Sequence, residues 1–169
     1  MRYSFDGAGV RMRRWRMEVI VTASSAVSPQ LQRARNILDE LLPTAPDIDA
    51  EVGIKNGEAY MVIRARDESH VAPGWTVIRT PGARWYSLEL GEDHEHDVVD
   101  EDATTDEVRG YLRRYVEVAT AYLRGDYEVT RSRWLRTPIL VVHLGDEQVR
   151  VDAKLGWEFT RLARRRARD

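Results

Sequence analysis

The chain has 169 residues, a formal net charge of -2, 43% hydrophobic residues and five Trp, which together indicate a folded globular domain with a buried core. It has no cysteine, which excludes disulfides and thiolate chemistry. No apolar run approaches the roughly 18 residues that a membrane span requires, and charges occupy the first 16 residues where a signal peptide needs an apolar segment, so we expect a cytoplasmic protein.

The first 16 residues are rich in Arg and show no clear periodicity. We therefore expect a flexible arm over 1–16, followed by a single α+β domain over 17–169. The first predicted element of that domain is a strand over 15–22, "WRMEVIVT", where apolar and polar residues alternate. A helix is predicted next, with Ser28 as its N-cap, Pro29 in its first position and Pro43 after its end.

Two β-hairpins are predicted after this helix. The segment 48–66, "IDAEVGIKNGEAYMVIRAR", alternates on both sides of Asn56 and Gly57, a pair typical of a type I′ turn. The segment 74–90, "GWTVIRTPGARWYSLEL", predicts a second hairpin that turns between Thr80 and Ala83.

The second half predicts a long helix, further strands and a closing helix. Thr104 and Glu107 have capping-box spacing, and the helix is expected to reach Arg124 and end on Gly125. Strands are predicted within 127–152, with an extra one near 127–133 and a tight turn at Gly145, before a helix over 153–169. Hairpins and about three helices predict an α+β fold with a largely antiparallel sheet.

The stretch 88–112, "LELGEDHEHDVVDEDATTDEVRGYL", is the strongest functional signal. From Glu89 to Glu107 it contains ten carboxylates and two histidines, but neither Lys nor Arg. Three interpretations are open. It forms a metal site, a docking surface for a basic partner, or a solvated loop whose charges repel one another.

The metal interpretation rests on His94 and His96, which would project on the same side of an extended segment. Imidazole and the neighbouring carboxylates would suit a transition metal. The partner interpretation rests on the field of the carboxylates, which would steer a basic protein and repel nucleic acid. Its candidate binding residues are Glu92, Asp93, Glu95, Asp97, Asp100, Glu101 and Asp102. Internal pairing with Arg131 and Arg133 is a further alternative.

Other catalytic signals are weak. His143 lies in an apolar strand, where a structural role is expected, and neither a phosphate-binding glycine loop nor a nucleophile elbow is present. We therefore expect no catalytic residues and no cofactor.

Two family resemblances agree with a binding function. The predicted order of elements over 28–167, helix, three strands plus one, helix, two strands, helix, resembles the type III secretion chaperone fold. The run 106–142, "DEVRGYLRRYVEVATAYLRGDYEVTRSRWLRTPILVV", is similar to the C-terminal half of small actinobacterial immunity proteins, which neutralise a toxin. These resemblances imply a non-catalytic bacterial protein that occludes a basic toxin, or alternatively a secretion chaperone. The alternative of another class is a metal-dependent enzyme or sensor that uses His94 and His96.

Overall fold

The structure is a computed structural model that describes residues 27–66, 74–131 and 138–154. Its elements, in chain order, are α1 (Pro29–Glu40), β1 (Ile48–Lys55), β2 (Glu58–Ala65), β3 (Trp75–Thr80), β4 (Arg84–Leu90), β5 (His94–Asp100), α2 (Thr105–Leu123), β6 (Tyr127–Arg131), β7 (Pro138–Leu144) and β8 (Glu147–Ala153). The predicted arm over 1–16, the predicted strand over 15–22 and nearly all of the predicted closing helix lie outside the described residues.

The first helix and its N-cap are confirmed. The side chain of Ser28 accepts a hydrogen bond from the backbone N–H of Leu31 at 3.1 Å, and Pro29 occupies the first turn. The helix ends at Glu40, before Pro43, and buries one stripe of side chains, Leu31, Ala34, Ile37 and Leu38. Capping chemistry and apolar spacing together were therefore sufficient to predict α1.

Both predicted hairpins are also confirmed. Asn56 and Gly57 adopt positive φ values of 55° and 81° between the antiparallel strands β1 and β2. Gly82, with a φ of 94°, turns the chain between β3 and β4. A Cβ at Gly82 would lie 2.6 Å from the backbone of Gln30, so this turn packs directly against the start of α1.

One strand was not predicted. Residues 94–100 form β5, which pairs along its whole length with β4. The inward positions of β5 are occupied partly by histidines rather than by aliphatic residues, so the apolar alternation that indicates a strand is weak in this segment.

The long helix has the caps that its sequence predicts. Thr104 and Glu107 form a reciprocal capping box at its start. At its end, Gly125 has a φ of 85°, and the N–H groups of Gly125 and Asp126 donate to the carbonyls of Tyr122 and Ala121. This is the Schellman arrangement, which directs the chain into β6.

The eight strands form one antiparallel sheet in the order β1-β2-β3-β4-β5-β8-β7-β6. Helix α1 packs on β1 and β2, whereas α2 packs on β2, β3, β4 and β7. The core between the helices and the sheet contains large, fully buried side chains, among them Leu38, Met61, Ile63, Ile78, Tyr86, Leu88, Leu90, Leu112, Leu140, Val142 and Val151. The α+β class and the antiparallel sheet are thus confirmed, with two helices among the described residues.

Few residues pair across the sheet where β5 meets β8. The two strands share only two residue pairs, His94 with Ala153 and Glu95 with Asp152. A further hydrogen bond runs from the N–H of Lys154 to the carbonyl of Asp93 at 2.8 Å. The five-strand hairpin series and the three-strand unit β8-β7-β6 are therefore joined at the beginning of β5. No helix among the described residues is long and apolar enough to cross a membrane.

Candidate functional site

The two sides of β5 are separated by the sheet. His94, His96 and Val98 stand opposite three buried residues of β4, namely Leu90, Leu88 and Tyr86, and so face the helices. Glu95, Asp97 and Val99 face the opposite side. The prediction that His94 and His96 share a side is confirmed, and the solvated-loop interpretation is wrong for residues 94–100, because hydrogen bonding to β4 fixes their backbone.

His96 is part of a hydrogen-bonded cluster beneath α2. The Tyr115 hydroxyl lies 3.1 Å from the carbonyl oxygen of Tyr86 and 3.2 Å from that of His96. Its single hydrogen is therefore shared between these two carbonyls, and its oxygen accepts from Nδ1 of the His96 ring, which is 3.1 Å away. The two rings meet edge to face at 5.8 Å, and burial raises the pKa of Tyr115 above its ordinary value. His96 thus fastens α2 to β4 and β5.

His94 has a different environment. Its side chain is half-buried, and its Nε2 atom is shielded from solvent without a hydrogen-bond partner in the part of the chain that the structure describes. Burial lowers the pKa of His94 below 6.5, although the nearby Asp93 carboxylate opposes this shift. The imidazole is therefore neutral near pH 7 and can accept a hydrogen bond.

A cavity of about 120 Å³ opens beside His94. We call it the His94 cavity; its lining residues are Leu90, Glu92, Asp93, His94, Tyr122, Tyr127, Val129 and Leu140. The rings of Tyr122 and Tyr127 lie 4.9 Å apart at an angle of 34°. Burial, followed by the proximity of Tyr127 and Asp93, raises the pKa of Tyr122 to about 12. The cavity therefore combines an aromatic wall, a neutral imidazole and two exposed acidic residues.

The opposite side of β5 carries charges that are partly neutralised within the fold. Glu89 forms an ion pair with Arg79 at 3.0 Å and a second ion pair with Lys154. Partial burial raises the pKa of Glu95. A hydrogen bond with Asp97 raises it further, because Glu95 can donate this bond only when it is protonated, whereas the positive charge of Lys154 lowers it. Glu89 is thus a structural carboxylate rather than a free docking group.

The far end of β5 also uses carboxylates for structure. The Tyr111 hydroxyl donates to Asp100 at 2.8 Å, and the backbone N–H of Asp102 donates to the other carboxylate oxygen of Asp100 at 3.3 Å. Glu107 accepts hydrogen bonds from both the backbone and the hydroxyl of Thr104. This end of the acidic stretch holds the start of α2.

The seven predicted partner-binding residues therefore fall into three groups. Glu92 and Asp93 line the His94 cavity, and Glu95 and Asp97 lie on the side of β5 away from the helices. Asp100 is the last residue of β5, and Glu101 and Asp102 lie in the turn before α2. Glu95 and Asp100 are half-buried, whereas the remaining five are exposed, namely Glu92, Asp93, Asp97, Glu101 and Asp102. The structure thus identifies the members of the stretch that a partner can reach.

The metal interpretation gains no support from this geometry. Among residues 27–66, 74–131 and 138–154, no group of three or more His, Asp or Glu side chains is positioned to hold a metal ion. His96 is engaged by Tyr115, and His94 lines a cavity whose other residues are two acids, two tyrosines and three aliphatic residues. Arg131, predicted as an internal partner of the acidic stretch, lies exposed in β6, and Arg133 lies outside the described residues.

Sequence reasoning missed the two tyrosines of the His94 cavity. The sequence places Tyr122 within the predicted long helix and Tyr127 within a predicted strand, with no indication that the two meet. A usable signal was present, since Tyr115 and Tyr122 are seven residues apart on one face of a helix. That spacing places one tyrosine near each of two histidines that alternate along a strand.

A larger groove of about 420 Å³ lies over β1, β2 and β3, on the side of the sheet away from the helices. Its lining carries both signs of charge, with Glu51 and Glu58 beside Lys55, Arg64 and Arg79. The Tyr60 hydroxyl donates to Glu51 at 3.1 Å across its floor. This mixed lining indicates no single class of ligand.

Comparisons with protein-family models, curated proteins and solved structures gave no match to this chain. The chemistry of β5 and of the residues around it is therefore the basis for a function.

Proposed function

We propose that this protein binds a basic protein partner without catalysing a reaction, and that it acts as an immunity protein that occludes a toxin. The observation that carries the proposal is the placement of exposed carboxylates on β5 and in its two flanking turns. Asp97 lies on the paired strand, and Glu92, Asp93, Glu101 and Asp102 lie in the turns directly before and after it. Docking costs less conformational entropy when the backbone that carries the charges is already ordered.

The charge pattern supports a basic partner. Five exposed carboxylates project from residues 92–102, within a stretch that contains no Lys or Arg between Glu89 and Glu107. Such a field accelerates association with a positively charged protein, and the acceleration falls as salt screens it. The same field repels nucleic acid, which makes a nucleic-acid ligand unfavourable on this surface.

Within this class, the immunity function is favoured over the secretion chaperone. The resemblance to immunity proteins rests on 106–142, a run that contains α2, β6 and most of β7. The resemblance to the chaperone fold rests on the order of elements, and the structure has five strands between α1 and α2. That number departs from the three strands plus one on which the chaperone resemblance was based.

The test compares two variants of equal charge. One replaces the five exposed carboxylates of residues 92–102 with their amides, at Glu92, Asp93, Asp97, Glu101 and Asp102. The matched control makes the same change at exposed carboxylates outside the stretch, at Asp39, Glu117, Asp126, Glu128 and Asp146. Asp100 is retained in both because it accepts hydrogen bonds from Tyr111 and Asp102.

Each variant is used to capture partners from the native cell, and the association rate of a captured, purified partner is measured at low and high salt. We expect the wild type and the control variant to bind a basic protein whose toxic activity is lost in the complex, with association that slows as salt rises. We expect the stretch variant to associate at least about tenfold more slowly at low salt. Equal rates for all three proteins would contradict the docking surface, and a captured partner that keeps its activity would contradict the immunity function.

A further inference from the structure

The His94 cavity has the shape and the chemistry of a subsite for one cationic side chain. We propose that it receives the guanidinium group of an arginine of the basic partner, which anchors that partner at the start of β5. This inference rests on the proposed function, because the arginine belongs to the protein that the acidic surface attracts.

The size of the cavity restricts its ligand. Its volume is about 120 Å³, well below the roughly 300–1,000 Å³ of sites for cofactors and drug-sized molecules. A space of this size suits the end of a single side chain. Val129, which is 57% exposed, provides an apolar edge against which the aliphatic part of an arginine can pack.

The acceptors of the cavity match a guanidinium group. The carboxylates of Glu92 and Asp93 and the Nε2 atom of His94 belong to residues that line the same space. A guanidinium has five N–H donors in a planar fork, whereas an ammonium has three donors on one atom. Arginine can therefore donate to both carboxylates at the same time through its planar fork.

The burial and the neutral protonation state of His94 favour a guanidinium ligand. Its Nε2 atom is shielded from solvent and has no partner among the described residues, a costly arrangement for a polar atom. Burial keeps the imidazole neutral near pH 7, so the ring does not repel an incoming cation.

The aromatic wall contributes a second attraction. Tyr122 and Tyr127 stack at 4.9 Å and both line the cavity. A planar cation against a tyrosine ring gains cation–π energy, and arginine makes this contact more often than lysine does. The larger groove over β1, β2 and β3 also contains a tyrosine and carboxylates, but its lining includes Lys55, Arg64 and Arg79. Those cations make that groove unfavourable for arginine.

The experiment titrates the full-length protein with N-acetyl-arginine amide and follows the ring resonances of His94, Tyr122 and Tyr127 by NMR. N-acetyl-citrulline amide, which is similar in shape but uncharged, and N-acetyl-lysine amide are titrated in parallel. We expect the arginine probe to shift these resonances with a dissociation constant on the order of millimolar, since it makes the contacts of only one side chain. The resonances of Tyr60 in the larger groove should not move.

Two variants locate the binding. Asp93→Asn removes a carboxylate of the cavity, and Asp102→Asn is the matched control at the other end of β5, where the side chain is exposed. We expect Asp93→Asn to weaken binding of the arginine probe by roughly threefold and Asp102→Asn to leave it unchanged. Equal shifts with the citrulline probe, tighter binding of the lysine probe, or equal affinity in both variants would each overturn the arginine assignment.

This result is separable from the test of the proposed function. Failure of the arginine probe in the His94 cavity, together with salt-dependent capture of a partner, would remove the subsite and leave the acidic docking surface in place. Binding of the probe without any partner that depends on the five carboxylates would support a cation subsite and remove the proposed function.

Discussion

The two sides of β5 are similarly polar but use their polar groups in different ways. On the side beneath the helices, His96 is held by Tyr115, and His94 lines the His94 cavity while its Nε2 atom is shielded from solvent and has no partner among the described residues. On the other side, Glu89 is neutralised by Arg79 and Lys154. The side of β5 beneath the helices therefore has buried hydrogen bonds between uncharged groups, whereas the opposite side has ion pairs at a partly exposed surface.

This difference shows that the number of carboxylates in a segment does not determine its role. Asp100 and Glu107 stabilise the start of α2, and Glu89 stabilises the junction of the sheet. Asp93 and Asp97, in the same stretch, are exposed and available to a partner. Substitutions on each side of β5 test this division.

Tyr115→Phe should destabilise the fold by about 1–3 kcal/mol, because it leaves buried polar groups without a partner. The hydroxyl that is lost forms hydrogen bonds with the carbonyls of Tyr86 and His96 and with the ring of His96. The free energy of unfolding in urea measures the effect. Tyr86→Phe is the control, since the Tyr86 hydroxyl is buried without a partner among the described residues, and its removal should be neutral or slightly stabilising. Equal losses in the two variants would show that the Tyr115 hydrogen bonds add nothing to stability.

Lys154→Met should destabilise the fold by up to about 1 kcal/mol, since it removes one cation from the largely buried Glu89 carboxylate while Arg79 remains. The side chains of Lys154 and Glu89 are only 24% and 13% exposed, so solvent compensates the loss poorly. Urea unfolding measures this effect as well. The matched control is Lys55→Met, which removes the other lysine of the chain at an exposed position and should change stability by less than about 0.5 kcal/mol. A control variant as unstable as Lys154→Met would contradict the role of the pair.

His94 should make stability decrease as the pH falls. Burial lowers its pKa in the folded protein below the ordinary value of 6.5, so the unfolded chain binds the proton more tightly. The contribution is fully present above pH 6.5 and is lost as the pH falls from 6.5 through the lowered pKa. The free energy of unfolding, measured over this range for the wild type and His94→Gln, should have a smaller slope in the variant. Identical slopes would show that His94 is not desolvated.

Turn and cap chemistry made most of the fold predictable from sequence. Asn56 and Gly57 adopt the positive φ values that their turn requires, and Ser28, Thr104 and Gly125 occupy the cap positions expected of them. These signals are local, because each depends on the backbone conformation of a few adjacent residues. These signals therefore do not depend on contacts with distant parts of the chain.

The position of β5 depended on tertiary contacts and could not be predicted in the same way. His94 and His96 face the helices because β5 pairs with β4, which places them opposite Leu90 and Leu88. Helix α2 packs over this side of the sheet and contacts His96 through Tyr115. The His94 cavity required one further contact, between Tyr122 of α2 and Tyr127 of β6. Residue type alone does not indicate that these side chains meet.

Glu95→Gln tests the other side of the strand, where the smallest effect and the opposite sign are expected. Partial burial and the neighbouring Asp97 and Glu89 raise the pKa of Glu95 in the folded protein above 4.5. The folded chain therefore binds this proton more tightly than the unfolded chain, and stability decreases as the pH rises from 4.5 through the raised pKa. The amide cannot ionise, so the variant should be slightly more stable than the wild type at neutral pH, and this advantage should disappear below pH 4.5. Urea unfolding at both pH values measures the difference. A variant less stable than the wild type at neutral pH would mean that Lys154 stabilises charged Glu95 more than Glu89 and Asp97 destabilise it, so that the charges on this side of β5 are fully compensated within the fold.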